Sequence, residues 1–221
     1  MIARLTFIAA LAFAPMAAAQ DATPAPATSE QLAAARAEAD RLIAVAEAGD
    51  LFVNITGNAN PMVRHRGSGL ICIFRSFSEI NRITIYPGGE RGEDVSCSTL
   101  DPETSAETTV YATKYAPLPS EEAILADAMR AITQRFPSAR AYEGDIVNVT
   151  ADDVAPITAA FLIETNLGPR FTMATVEHLD GWGFKLRATG PADKAREISA
   201  FANTGFATML VMRRLPPFSG D

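Results

Sequence analysis

The chain has 221 residues, 48% of them hydrophobic and 20% charged, with a formal net charge of −7. That length and apolar content are enough for one well-cored domain. The acidic balance argues against general nucleic-acid binding, which normally needs a basic face, and against electrostatic docking on anionic lipid.

Residues 1–19 read as a secretory signal peptide. Arg4 lies in a short basic start, "LTFIAALAFA" (5–14) is an apolar run, and Ala17 and Ala19 in "PMAAAQ" supply the small-residue cleavage pattern. The run is shorter than the roughly 20 apolar residues that span a bilayer, and no later run is longer, so no transmembrane helix is expected after cleavage. Cleavage after Ala19 predicts a periplasmic or secreted chain, whose charge falls from −7 to −8 with the loss of Arg4. "QDATPAPAT" (20–28) reads as a flexible linker. A single domain is expected over 29–215, with a tail at 216–221.

Thr28 and Gln31 form a T-x-x-Q capping box, and Leu32, Ala35, Ala39, Leu42, Ile43 and Ala46 follow at helical spacing. A helix is expected over 29–48, ended by Gly49, with an alanine-rich face. The middle of the chain is strand-like: "LICIFR" (70–75), "RITIYP" (82–87), "DVSCSTL" (94–100) and "TTVYATKYA" (108–116) are short β-branched or aromatic runs. The glycines of "RHRGSGLICIF" (64–74) read as the entry to the first of these.

A second helix lies in 117–137. Ser120 caps it, Glu121 and Glu122 sit at the positive end of its dipole, and Ile124, Ala128, Ile132 and Phe136 form its apolar ladder before Pro137. A short strand is expected near Tyr142 and a buried strand over 156–165. In "RFTMATVEHLDGWGFKLRAT" (170–189), Asp180-Gly181 is the pair a type I′ hairpin turn demands. Alternation turns Phe171, Met173, Leu179, Trp182, Phe184 and Leu186 to the core, and Lys185 and Arg187 away from it. A last helix spans 191–213, with Ile198, Phe201, Ala202, Gly205 and Met209 inward. Strand connections this short exclude most parallel crossovers, so the fold class is α+β, an antiparallel β-sheet with helices packed on it.

Cys72 and Cys97 are the two cysteines. In an exported chain they are expected to pair, closing a loop of about 25 residues that contributes about 3–4 kcal/mol in the chain-entropy model. In a plain three-strand meander the cysteines would sit on its outer strands, about 9–10 Å apart, too far to bond. Either the first and third strands are neighbours, or one cysteine sits at a strand end where the chain bends.

Catalytic motifs are weak. Ser68 sits in G-S-G before a strand, not in the G-x-S-x-G elbow that precedes a helix. A Ser-His-acid site would have to recruit His65 or His178 with a carboxylate such as Asp94 or Asp180. The bland alternative is that Ser68 bonds the backbone as the chain enters the strand. Glu177 falls on the face of Phe184 and Leu186; if enclosed, its pKa rises and it becomes a site candidate. Cys72, Cys97, His65 and His178 lack the close pairs of a zinc site, and Asp145, Asn148, Asp152 and Asp153 lack calcium-loop spacing. The glycine clusters lack P-loop or dinucleotide spacing. No metal and no cofactor is called for. Arg64, His65, Arg66, Lys185 and Arg187 are the candidate contacts to an anion or a partner.

"TTVYATKYAP" followed by a helix, then a hairpin ending in "GWGFKLRATGP" and a C-terminal helix, resembles the PsbP-like and DcrB-like exported α/β sandwiches over about residues 50–213. "SGLIC" and "EDVSC" look like segments of uncharacterised exported alphaproteobacterial proteins. Members of the PsbP-like group are largely non-catalytic accessory or binding proteins. The resemblance therefore implies a non-enzymatic accessory or binding role toward a protein or small-molecule partner. The alternatives are a small-molecule or lipid binder with a pocket between sheet and N-terminal helix, and a hydrolase at Ser68.

Overall fold

A computed structural model of the chain describes residues 26–75, 77–150 and 154–214. Helix α1 (Ser29–Val45) begins as its capping box dictates: the Gln31 N–H donates to the Thr28 Oγ1 at 3.2 Å, and the Thr28 N–H to the Gln31 Oε1 at 2.9 Å. It ends before Gly49, because Ala46 caps it and Glu47 takes the left-handed turn at φ 50°.

Two antiparallel sheets follow. The smaller runs β1 (Phe52–Asn54), β2 (Met62–His65) and β3 (Ile71–Ile73). The larger contains β4 (Arg82–Ile85), β5 (Asp94–Asp101), β6 (Ala106–Thr113), β7 (Arg140–Ala141), β8 (Ile157–Thr165), β9 (Gly168–Leu179) and β10 (Trp182–Pro191), in the order β4-β5-β6-β10-β9-β8-β7. Helix α2 (Glu121–Arg135) connects β6 to β7, and α3 (Ala195–Met212) follows β10 through a single 3₁₀ turn. This is the α+β fold the pattern implied, an antiparallel sheet with helices packed on it.

The β9–β10 hairpin forms as its turn requires, with Asp180 at φ 51° and Gly181 at φ 79°. Its alternation sorts the two faces of the large sheet. Phe171, Met173, Phe184, Leu186 and Ala188 are buried on one face, with Ile198, Ala202 and Phe206 of α3 in the same core. On the other face, Ala128 and Ile132 of α2 pack on Phe161, Ile163 and Ala174. Glu121 and Glu122 occupy the first turn of α2, and the Ser120 Oγ accepts the Ala123 N–H at 3.2 Å.

Three readings change. "RHRGSGL" is not only a strand entry: Arg64 and His65 already lie in β2, and Arg66–Leu70 is the turn of a β2–β3 hairpin in which Arg64 pairs with Ile71. The run 156–165 is half-buried rather than buried along most of its length. The third concerns topology. The 70–75 strand does not join the 82–87 and 94–100 strands, because β2 pairs with β3 and holds it in the small sheet. The Cys72–Cys97 disulfide is formed, with Cα atoms 6.0 Å apart, and it crosses between sheets. Neither of the two arrangements expected for the cysteines describes this.

Candidate functional site

The bridge between the sheets marks the edge of a cavity of about 600 Å³. Its floor is the α3-facing side of the large sheet, with Cys97 and Thr99 of β5, Val110 of β6 and Leu186 of β10. One wall is Ile71–Arg75, and the other is α3 from Ala200 to Met209. The wall is mostly apolar; Thr204 and Thr208 of α3 also line it, and the polar groups of the floor and the Ile71–Arg75 wall are engaged elsewhere. The Thr99 hydroxyl donates to the Asn81 Oδ1 at 3.0 Å, and the Thr108 hydroxyl to the Thr99 carbonyl at 3.5 Å. The Arg75 guanidinium lies over the Phe201 ring, 4.7 Å from its centroid, and pairs with Asp101 at 3.7 Å and Glu103 at 3.3 Å.

Gly205 lies at the open rim of this space. It lines the cavity, and a Cβ built there meets no atom within 4 Å. The alanine-rich face of α1 behaves in the opposite way. Ala35 and Ala39 are fully buried, so their small side chains let that helix pack closely instead of leaving a void. A second, smaller cavity of about 410 Å³ lies at the C-terminal end of α1, lined by Ala46, Glu47, Tyr86 and Arg91 among others. The larger space belongs to α3.

The structure does bring Ser68 and His65 together: the Ser68 Oγ is 2.9 Å from the His65 Nδ1. The same nitrogen accepts the Ser68 N–H at 3.1 Å, and the Ser68 Oγ accepts the Leu70 N–H at 3.1 Å. Nδ1 is therefore an acceptor, and the imidazole is neutral with its proton on Nε2. The ring lies against Phe52 (5.0 Å between centroids) and Trp182 (5.8 Å). Burial lowers its pKa from 6.5 to about 4. His65 and Ser68 are 1% and 2% exposed, and among the described residues no carboxylate bonds the ring. This is the lock of a hairpin turn.

His178, expected as an exposed cross-strand residue, is half-buried. Its backbone N–H donates to the Glu121 Oε1 at 2.8 Å and the Glu177 Oε1 at 3.1 Å, and its buried Nε2 has no partner among the described residues. Glu177 is enclosed. It accepts the Ala155 N–H at 2.9 Å, and burial, reinforced by the nearby Glu121, raises its pKa. Asp180 serves Arg213 instead of a histidine, at 2.7 Å, and Asp94 accepts the Thr113 hydroxyl at 2.8 Å. Asp152 and Asp153 lie outside the described residues. Among the described residues no cluster of three or more histidines, cysteines or carboxylates is placed to hold a metal.

The basic candidates separate. Arg64 donates to the Arg213 carbonyl at 2.8 Å, His65 is in the core, and Arg66 is exposed beyond them. Lys185 and Arg187 lie on β10, on the α2 side of the sheet. Sequence reading missed Arg213. Its guanidinium donates to the Ser68 carbonyl at 3.0 Å, pairs with Asp180 and lies 5.0 Å from the centroid of the Phe184 ring, so the end of α3 ties two hairpin turns together. No periodicity or motif signals such a contact.

No known family model matches the chain, and no curated protein is similar to it. Among solved structures, it is similar to LpqN, involved in cell envelope biogenesis of Mycobacterium tuberculosis: 14% identity, 57% of this chain and 83% of that one, TM-score 0.34. It is also similar to PA94 from Pseudomonas aeruginosa, a protein of unknown function: 10% identity, 71% of this chain and 96% of that one, TM-score 0.36. Both likenesses are diffuse and at the level of fold, and neither assigns the chain to a family.

Proposed function

We propose that the chain is an exported, non-enzymatic binding protein that takes an apolar small molecule, such as an acyl chain, into the cavity beneath α3. The observation that carries this reading is the cavity itself: about 600 Å³, walled mostly by apolar side chains, with the hydroxyls of Thr99 and Thr108 on its floor already bonded to protein. Binding sites for small molecules fall at about 300–1,000 Å³ and are lined mostly by apolar groups. The space is a cleft open to solvent along α3, where Thr204, Gly205 and Thr208 are exposed, so an apolar ligand would cover apolar wall that now faces water. The disulfide fits an extracytoplasmic protein, and no described helix is long and apolar enough to cross a membrane. Export through residues 1–19, with 20–28 as a tether, belongs to the same proposal.

A hydrolase at Ser68 is supported less well. Its hydroxyl is buried, it accepts a backbone N–H, and its imidazole partner is a weak base.

The test is titration of the full chain with the neutral fluorescent probe phenylnaphthylamine, followed by competition with hexadecanoate. The proposal expects saturable one-to-one enhancement that hexadecanoate reverses. Enhancement that does not saturate, or that hexadecanoate leaves unchanged, overturns it.

A further inference from the structure

The opposite face of the large sheet carries a second feature. Lys185 and Arg187 are two residues apart on β10, so they share a face and stand about 7 Å apart along the strand. Among the described residues neither makes a salt bridge or a hydrogen bond. This is unusual in a chain of net charge −7, where carboxylates outnumber cations. The nearby carboxylates are bonded to other groups and reach Lys185 only through their field, which offsets part of its burial. Asp94 of β5 accepts the Thr113 hydroxyl at 2.8 Å, and Asp127 of α2 pairs with Arg130 at 2.7 Å.

The surroundings favour an oxyanion. The Lys185 ammonium lies 4.4 Å from the centroid of the Tyr111 ring, the residue directly opposite it on β6. Tyr111 stacks with Tyr86 at 6.2 Å, and Thr109, opposite Arg187, carries a hydroxyl 2.9 Å from that of Ser98. Arg82, across the same strip on β4, is held by Glu107 at 3.7 Å. Burial, followed by the neighbouring Arg187, pulls the Lys185 pKa below its ordinary value. Two like charges held together on a half-buried face repel, the field of Asp94 and Asp127 offsets this only in part, and an anion between the two cations relieves the remainder. A guanidinium fork takes two oxygens of a tetrahedral oxyanion, and an ammonium beside it takes a third.

We propose that Lys185 and Arg187, flanked by the Tyr86–Tyr111 pair, form a binding site for a phosphate group on the part of the sheet that α2 leaves uncovered. It lies across the sheet from the cavity, and it stands or falls independently of what the cavity holds. The phosphate could belong to a soluble phosphomonoester or to a phospholipid headgroup.

The test uses the full chain in three arms at matched ionic strength: inorganic phosphate, glycerol phosphate, and phosphatidylglycerol vesicles with phosphatidylcholine vesicles as control. Binding of either soluble anion identifies a soluble ligand, and binding of phosphatidylglycerol vesicles alone identifies a headgroup. In either case Arg187→Gln weakens binding by about tenfold or more, corresponding to about 1.4 kcal/mol, and Arg187→Lys weakens it less. The melting temperature of Arg187→Gln without ligand is no lower than that of the parent, because a repulsion is removed. Absence of binding in all three arms, or equal binding by Arg187→Gln, overturns the proposal.

Discussion

Cys72 on β3 and Cys97 on β5 are bonded across two different sheets, and both side chains line the cavity under α3. The disulfide therefore fixes the distance between the Ile71–Arg75 wall and the floor of the large sheet. Its sequence separation of 25 residues corresponds to about 3–4 kcal/mol of loop-closure entropy. A Cys72→Ser/Cys97→Ser chain is expected to lose about that much stability in urea unfolding, and to bind the apolar probe more weakly even where it is fully folded.

The His65–Ser68 lock predicts an acid-sensitive fold. Burial holds the imidazole pKa at about 4 against 6.5, so the unfolded chain takes up the proton first. This contribution is fully present above pH 6.5 and is lost as pH falls toward 4, by about 3 kcal/mol. Urea unfolding across that window should show the decline in the parent chain and a flatter profile in His65→Gln. Ser68→Ala should cost about 1–2 kcal/mol by leaving the Leu70 N–H without its acceptor, and should leave probe binding intact.

Glu177 has the opposite sign. Its pKa is raised, so the folded chain holds the proton more tightly than the unfolded one. The resulting stability is present below the ordinary carboxylate pKa and is lost as pH rises through the folded value. Glu177→Gln should therefore raise the melting temperature at neutral pH, and the gain should shrink toward pH 4, near the ordinary carboxylate value. An unchanged or lowered melting temperature at neutral pH would count against an enclosed carboxylate facing Glu121.

Arg213 should be a stability residue far out of proportion to its place near the end of the chain. Its side chain is 8% exposed and reaches Ser68, Asp180 and Phe184. Arg213→Ala is expected to cost about 2–3 kcal/mol, since it removes a charge-assisted bond and packing together. Asp180→Ala should cost less, because that carboxylate is 74% exposed.

The features legible in the sequence are those written within a few residues. They include the Thr28 and Ser120 caps, the α2 ladder, the Asp180-Gly181 turn, and the alternation that sends Phe184 and Leu186 one way and Lys185 the other. Illegible were the contacts that join distant segments. A strand of three residues such as β3 has no pattern that says which sheet it joins, and Arg213 reads as one more basic residue in a helix end. The position of the cavity was hidden for a subtler reason. Small residues on a helix face permit either close packing or an empty space. In α1, Ala35 and Ala39 do the first, and in α3, Gly205 sits at the open rim of a cleft. Composition is the same signal for both outcomes.

Gly205→Leu tests the cavity reading most directly. The added side chain enters space where a Cβ meets nothing within 4 Å, and it replaces a poor helix former by a good one, worth about 0.5–1 kcal/mol in a helix interior. Titration with phenylnaphthylamine should show the variant binding at least about tenfold more weakly than the parent, with a melting temperature equal or higher. Equal affinity in a folded Gly205→Leu chain would contradict a binding site beneath α3.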